Sequence, residues 1–144
     1  MARVAPEEQK RIADLEGQIA AINKSQAVIQ FELNGTIIDA NENFCNAMGY
    51  TIDEIRGKHH SLFAEATYAN SPEYERFWAD LAQGKSISDR FKRKKKDGST
   101  VWLEASYAPL KSSDGEIHGF IKFAADITEN IEKNLRESES EESA

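Results

Sequence analysis

Two histidines stand side by side in "GKHHSLF", His59 and His60, and a Phe-Trp pair, Phe77 and Trp78, follows in "EYERFWADL". A neutral imidazole can ligate a metal or carry a proton near neutral pH, and adjacent aromatic rings can wall a slot for a flat molecule. Neighbouring residues diverge in direction, so at most one of the two histidines faces inward. His59 reads as solvated, and His60 stays open between a core hydrogen bond and a ligand contact. Tyr74, Phe77, Trp78 and Leu81 recur at helical spacing, a stripe that in isolation is more often core than cofactor wall. Catalysis finds little support. No Ser/His/Asp order, phosphate loop or metal-ligand spacing stands out, and a loose pair such as His60 and Glu65 is not a site. The chain is read as a non-enzyme.

The elements that must position these residues follow from local punctuation. "PEEQKRIADLEGQIAAINKS" places Ile12, Leu15, Ile19 and Ile22 three, four and three apart, a narrow apolar stripe on a helix. It fits packing on its own domain or pairing with a copy of itself, and Gly17 weakens it as an isolated helix. Asn34-Gly35 is a two-residue hairpin signal between strands expected at Val28–Leu33 and Thr36–Ala40. Asn41 caps a short helix, Glu42–Met48, which Gly49 ends. Thr51 and Glu54 form a capping box for a second helix that stops at Gly57. Ser71 caps a third with Pro72 in its first turn, ending at Gly84. The period then switches to two, giving a long hairpin turning at Asp97-Gly98, another turn at Asp114-Gly115, and a last strand, Ile117–Ala125. His118 lies near the start of that strand. Ile127, Ile131 and Leu135 suggest an exit helix. The expected class is α+β, one five-stranded antiparallel sheet with short helices on one side, plus an N-terminal amphipathic helix and a C-terminal exit helix.

Bulk properties narrow the partners. The 144 residues suit one domain, and 40% hydrophobic with 30% charged residues point to a folded chain. No apolar run approaches a membrane span, and the N-terminus lacks a secretory signal, so a cytoplasmic location without membrane insertion is expected. Cys45 is the lone cysteine, which excludes an intrachain disulfide and a thiolate cluster. The net charge of −7 argues against nucleic-acid binding. The "KRKKK" run, Lys92–Lys96, reads as solvated lysines guarding a hairpin edge. The acidic "RESESEESA" reads as a disordered end or the point where a longer parent was cut.

Three linked stretches, "NGTIIDANENFCNAMGYTIDEIRGK", "KKKDGSTVWLEASYAPL" and "DGEIHGFIKFAADIT", resemble the PAS sensor family in order and spacing. The division implied is an N-terminal dimerisation helix over 1–26, a PAS domain over 27–128, and the exit helix start with an acidic tail over 129–144. "DANENFCNAMGYTIDEIRGKHHSLF" and "EYERFWADLAQGK" look most like the PAS domains of bacterial chemoreceptors and aerotaxis receptors. The resemblance implies a cytoplasmic, usually dimeric sensory module that reports a ligand or redox state to a chemoreceptor or other signalling output domain. No output domain is visible, which leaves an excised sensor or a single-domain partner.

The same resemblance frames the pocket. Blue-light adduct chemistry needs a cysteine after the "GK" turn, where this chain has His59 and His60. Haem b needs an imidazole ligand, which would be His60, His59 or His118. FAD is favoured over haem, because the tryptophan of "WADLAQG" and a histidine at position 60 resemble the flavin-binding members, although a second tryptophan after that helix is missing. Trp78, Phe77 and Phe123 would line the flavin slot, and Asn41, Asn43 and His60 would face its polar edge. Ile12, Leu15, Ile19, Ile22 and Trp102 are the dimer-interface candidates. Asp126 and Thr128, in the closing "DIT", are the signal-relay candidates. The expected function is redox or oxygen sensing through the cofactor. The alternatives are a cofactor-free dimerisation and docking module, or a pocket for a small metabolite.

Overall fold

The computed structural model describes residues 4–143, with side chains for 4–138. Residues 1–3 and 144, the ends of the two flanking segments, lie outside the described residues. Helix α1, Pro6–Ser25, precedes strands β1, Ala27–Glu32, and β2, Ile37–Ala40. Four helices follow: α2 (Glu42–Met48), α3 (Ile52–Ile55), α4 (Ala66–Ala69) and α5 (Pro72–Ala82). A 3-10 turn, His60–Phe63, sits between α3 and α4. Strands β3 (Ile87–Lys94), β4 (Thr100–Lys111) and β5 (Ile117–Asp126) lead to α6, Thr128–Ser143. The five strands form one antiparallel sheet in the order β2-β1-β5-β4-β3, so the first hairpin joins the last strand at the centre.

Local rules account for most boundaries. Asn41 Oδ1 accepts from Phe44 N at 2.9 Å and starts α2, and Gly49 at φ 79 ends it. Glu54 accepts from Thr51 N at 2.8 Å, and Ser71 Oγ accepts from Tyr74 N at 3.3 Å. The first hairpin is not the expected two-residue turn. Gly35 N donates to the Glu32 carbonyl and Glu32 N to the Thr36 carbonyl, which makes a three-residue loop with Gly35 left-handed at φ 85. A Cβ on Gly35 would also lie 2.6 Å from His59 Nε2. The other two hairpins repeat this loop, and β1 and β2 shift by a residue or so from their expected limits.

Two further features go beyond the expected elements. The segment between α3 and α5 holds the 3-10 turn and α4, too short to show a helical period in sequence. Helix α6 runs on into the acidic stretch as far as Ser143, since glutamate propagates a helix well once Thr128 and its neighbours have started it. The core lies between the inner sheet face and the short helices. Ile29 and Phe31 of β1, Leu103 and Tyr107 of β4 and Phe120 of β5 meet Phe44, Met48, Ile55, Phe63 and Leu81 there, all essentially without solvent contact.

Candidate functional site

The inner face centres on His60, which is fully buried at the first position of the 3-10 turn. His59, one residue earlier, fixes the turn. Its Nδ1 accepts from Ser61 N at 3.0 Å and its Nε2 donates to the Asn34 carbonyl at 2.9 Å, stapling the turn to the first hairpin. His60 N donates to the Gly35 carbonyl, which drives the second imidazole inward. There Nδ1 lies 2.8 Å from the Tyr74 hydroxyl and Nε2 3.1 Å from the Tyr107 hydroxyl. Six aromatic rings, Phe31, Phe63, Tyr74, Phe77, Trp78 and Tyr107, surround the imidazole at centroid distances of 5.0–6.5 Å.

Electrostatics keep this imidazole neutral. Burial comes first, and repulsion from neighbouring basic side chains, Arg93 foremost, adds to it, holding His60 well below the ordinary histidine range. A neutral ring donates from one nitrogen and accepts at the other. Arg93 Nη2 donates to the Tyr107 oxygen at 3.3 Å, which frees the Tyr107 proton for Nε2 and leaves the imidazole proton on Nδ1 facing Tyr74. The result is a chain of polar groups, Arg93–Tyr107–His60–Tyr74, inside an aromatic shell. Burial also pushes Tyr74 up to about 12, so its phenol stays protonated.

The cage carries unpaired donors. Trp78 Nε1, Arg93 Nε and Lys122 Nζ are buried without a hydrogen-bond partner. Lys122 is 1% exposed, with Nζ 4.9 Å from the Tyr107 ring centroid and 5.8 Å from that of Phe44. Its ammonium form is disfavoured by burial and by Arg93, which places it well below the ordinary lysine range.

The residues expected from sequence divide clearly. His60, Trp78 and Phe77 come together in the cage. Phe123 does not. It pairs with Val28 and Ser106 on the outer face, and its neighbour Lys122 holds the inward position between Phe120 and Ala124. Asn41 and Asn43 do not face the cage either. Their amides donate to the Gln26 carbonyl at 2.8 and 3.2 Å, and Asn43 also to Asn23 and Lys24, so they tie the end of α1 to α2. His118 is exposed beside the bulge that shifts register between Leu110 and Lys111. Trp102 lies half-buried on the outer face. Its N–H donates to Thr128 Oγ1 at 2.8 Å, and Thr128 N donates to Asp126 Oδ1 at 2.9 Å, so the two relay candidates share one junction with β4.

Sequence reasoning missed Arg93, Tyr107 and Lys122. Arg93 was grouped with the solvated lysines, yet it is 3% exposed and follows Phe91 by two on β3. Period-two counting from Phe91, Leu103 and Phe120 marks all three as inward.

A flavin needs polar groups at its ring edge; of the six residues expected to contact it, His60, Trp78 and Phe77 lie in the cage and Phe123, Asn41 and Asn43 lie outside it. A haem needs an imidazole with a free ring nitrogen in a largely apolar surround; His60 is the one buried histidine of the three, and its Nε2 becomes free only if the Tyr107 hydroxyl releases it. Cys45 is buried on α2 and takes no part in the cage.

The family model for the PAS domain matches residues 14–129. The chain therefore belongs to the PAS family, the signal-sensing domains of chemotaxis, aerotaxis and light receptors. It is 33% identical over 127 residues to the biofilm dispersion protein BdlA of Pseudomonas aeruginosa, covering 88% of this chain and 30% of that protein. It is 26% identical over 98 residues to the aerotaxis receptor of Escherichia coli, covering 68% and 19%. The chain thus spans under a third of the length of these curated relatives. Among solved structures, a light-oxygen-voltage domain studied with a flavin analogue superposes with a TM-score of 0.68 at 20% identity, covering 88% of this chain and 96% of that one. An RNA-binding light-oxygen-voltage receptor reaches 0.73 at 19% identity, covering 99% and 41%. At these identities the structural likeness establishes the fold.

Proposed function

We propose that this chain is a cytoplasmic sensory module that reports redox state or oxygen through a cofactor held against His60, and that the cofactor is haem b. The observation that carries this reading is the fully buried imidazole of His60, which burial holds toward the neutral form, among six aromatic rings. A haem held there would supply a redox-active iron with reversible affinity for diatomic gases. His60 would ligate the iron through Nε2 once the Tyr107 hydroxyl had released it, while Trp78 and Phe77 would shield the iron from water. The rings close around His60 in the structure, so a macrocycle enters only if α5 and the 3-10 turn part. The change would reach the outside through β4 and β5, whose ends meet α6 at Asp126 and Thr128. Binding and relay, rather than catalysis, are the role. α1 and Trp102 are the surfaces for a homodimer, and a chemoreceptor or similar output domain is the partner.

FAD is the second reading. It is supported by the aerotaxis receptor and the light-oxygen-voltage domains among the similar proteins and by the Trp78–Phe77 wall. Absorption spectra of the protein as purified, then with haemin or flavin added, separate the two. A Soret band abolished by His60→Ala and unaffected by His59→Ala or His118→Ala is the expected result. Paired blue and near-ultraviolet bands would replace haem with FAD. An absence of colour with every supplement would leave the cofactor-free docking module.

A further inference from the structure

Two cations, Lys122 and Arg93, share the core with no acid. Among the described side chains, His60, Arg93 and Lys122 are the buried polar or charged residues, and no carboxylate joins them. The cations flank Tyr107 from the neighbouring strands: the Arg93 guanidinium reaches the hydroxyl and the Lys122 ammonium sits over the ring. Each keeps one buried N–H group unpaired, Arg93 Nε and Lys122 Nζ. A buried base without a partner is costly either way: charged, it lacks a counter-charge, and neutral, it has given up both its proton and its hydrogen bonds to water. Methionine would fill the place of Lys122 without the penalty.

We propose that Lys122 Nζ and Arg93 Nε form an interior anion subsite that receives a carboxylate of the ligand the domain holds. This rests on the reading that the interior holds a ligand, and not on which ligand it is. A carboxylate would accept from both nitrogens, and its charge would restore the ammonium form of Lys122. A carboxylate brings one charge inside where a phosphate brings close to two, so it costs less to bury beside two bases. Arg93 also borders the surface. It forms the wall of a surface cleft of about 370 Å3 with Tyr68 and Phe91, bridged by the 3.0 Å Lys92–Glu65 ion pair between β3 and the start of α4. The carboxylate could belong to a haem propionate or to a free aromatic acid, and the two sources are separable.

The test compares charged and neutral twins: haemin against haemin dimethyl ester, and benzoate against benzamide, each with the whole chain and with Lys122→Met. Binding is read from absorption for the haemin pair and from the melting temperature for the benzoate pair. The expected result is a preference of at least about tenfold for the carboxylate in one or both pairs, reduced to about twofold or less by Lys122→Met. If that variant does not fold, Lys122→Gln serves the same comparison. Equal affinity for both twins, a preference that survives the substitution, or no binding in either pair overturns the subsite. Equal binding of haemin and its ester with a His60-dependent Soret band keeps haem and removes the subsite. A Lys122-dependent benzoate preference without a Soret band does the reverse.

Discussion

His60 and Lys122 are bases that burial holds toward the neutral form, and this sets how the ligand-free domain responds to acid. The unfolded chain takes up protons that the folded chain refuses, beginning below pH 10.5 for Lys122 and below pH 6.5 for His60. The stability associated with His60 is therefore intact above its unfolded value and is lost as pH falls through that value toward the folded one. Glu54 does not compensate, because its hydrogen bond with Lys96 lowers it to about 2 and it stays charged throughout. Urea midpoints should fall between about pH 7 and pH 5 with a slope of up to ~1.4 kcal/mol per pH unit from His60, and His60→Gln should flatten that segment. A midpoint that rises on acidification contradicts this. Lys122→Met should stabilise the ligand-free protein by about 1–4 kcal/mol, checked by chemical denaturation at neutral pH.

At the scale of elements, two junctions hold the sheet to its flanking helices. Asn41 serves both α2 and α1: its oxygen accepts from Phe44 N and Val28 N, and its amide reaches Asn23 and Gln26. Asn41→Ala should cost about 1–2 kcal/mol of stability. Asn43→Ala, which removes only the link to α1, should cost less, and equal losses in the two denaturation curves would show that the cap of α2 is not the larger part. At the other end, Thr128 Oγ1 holds Trp102 N on β4 while Asp126 caps the turn into α6. Thr128→Val should cost about 1 kcal/mol locally and speed amide exchange at Trp102 roughly fivefold, leaving the Asn41 junction unchanged.

At the scale of the molecule, α1 is a helix of 20 residues with none buried. Its Ile12, Leu15 and Ile19 are 45%, 48% and 58% exposed, and Ile22 is half-buried. A helix of this length is marginal alone, so the stripe calls for a partner, and a second copy satisfies the narrow heptad spacing. Replacing Ile12, Leu15 and Ile19 together with glutamate should convert a dimer to a monomer in sedimentation experiments. The thermal midpoint of the PAS core should barely move, since these side chains touch none of it. A monomeric unsubstituted chain would instead reserve the stripe for an output domain.

The order of the strands and longer helices, the helix caps, the places of the three glycine hairpins and the inward helical stripe of α5 were legible in the chain because each rests on residues a few positions apart, whereas the 3-10 turn, α4 and the three-residue form of the hairpin loops were not. What Asn41 and Asn43 hold, and which of Phe123 and Lys122 faces inward, were not, because strand parity depends on a register set by distant strands and their bulges. His60 was legible as a candidate, but its partners lie 14 and 47 residues away and belong to another helix and another strand. Local sequence thus determined the sheet, its helices and the presence of an inward histidine. Only the tertiary structure decided that its neighbours are two phenols and two buried cations, because a five-stranded sheet with β5 inserted between β1 and β4 brings together side chains that no local pattern relates.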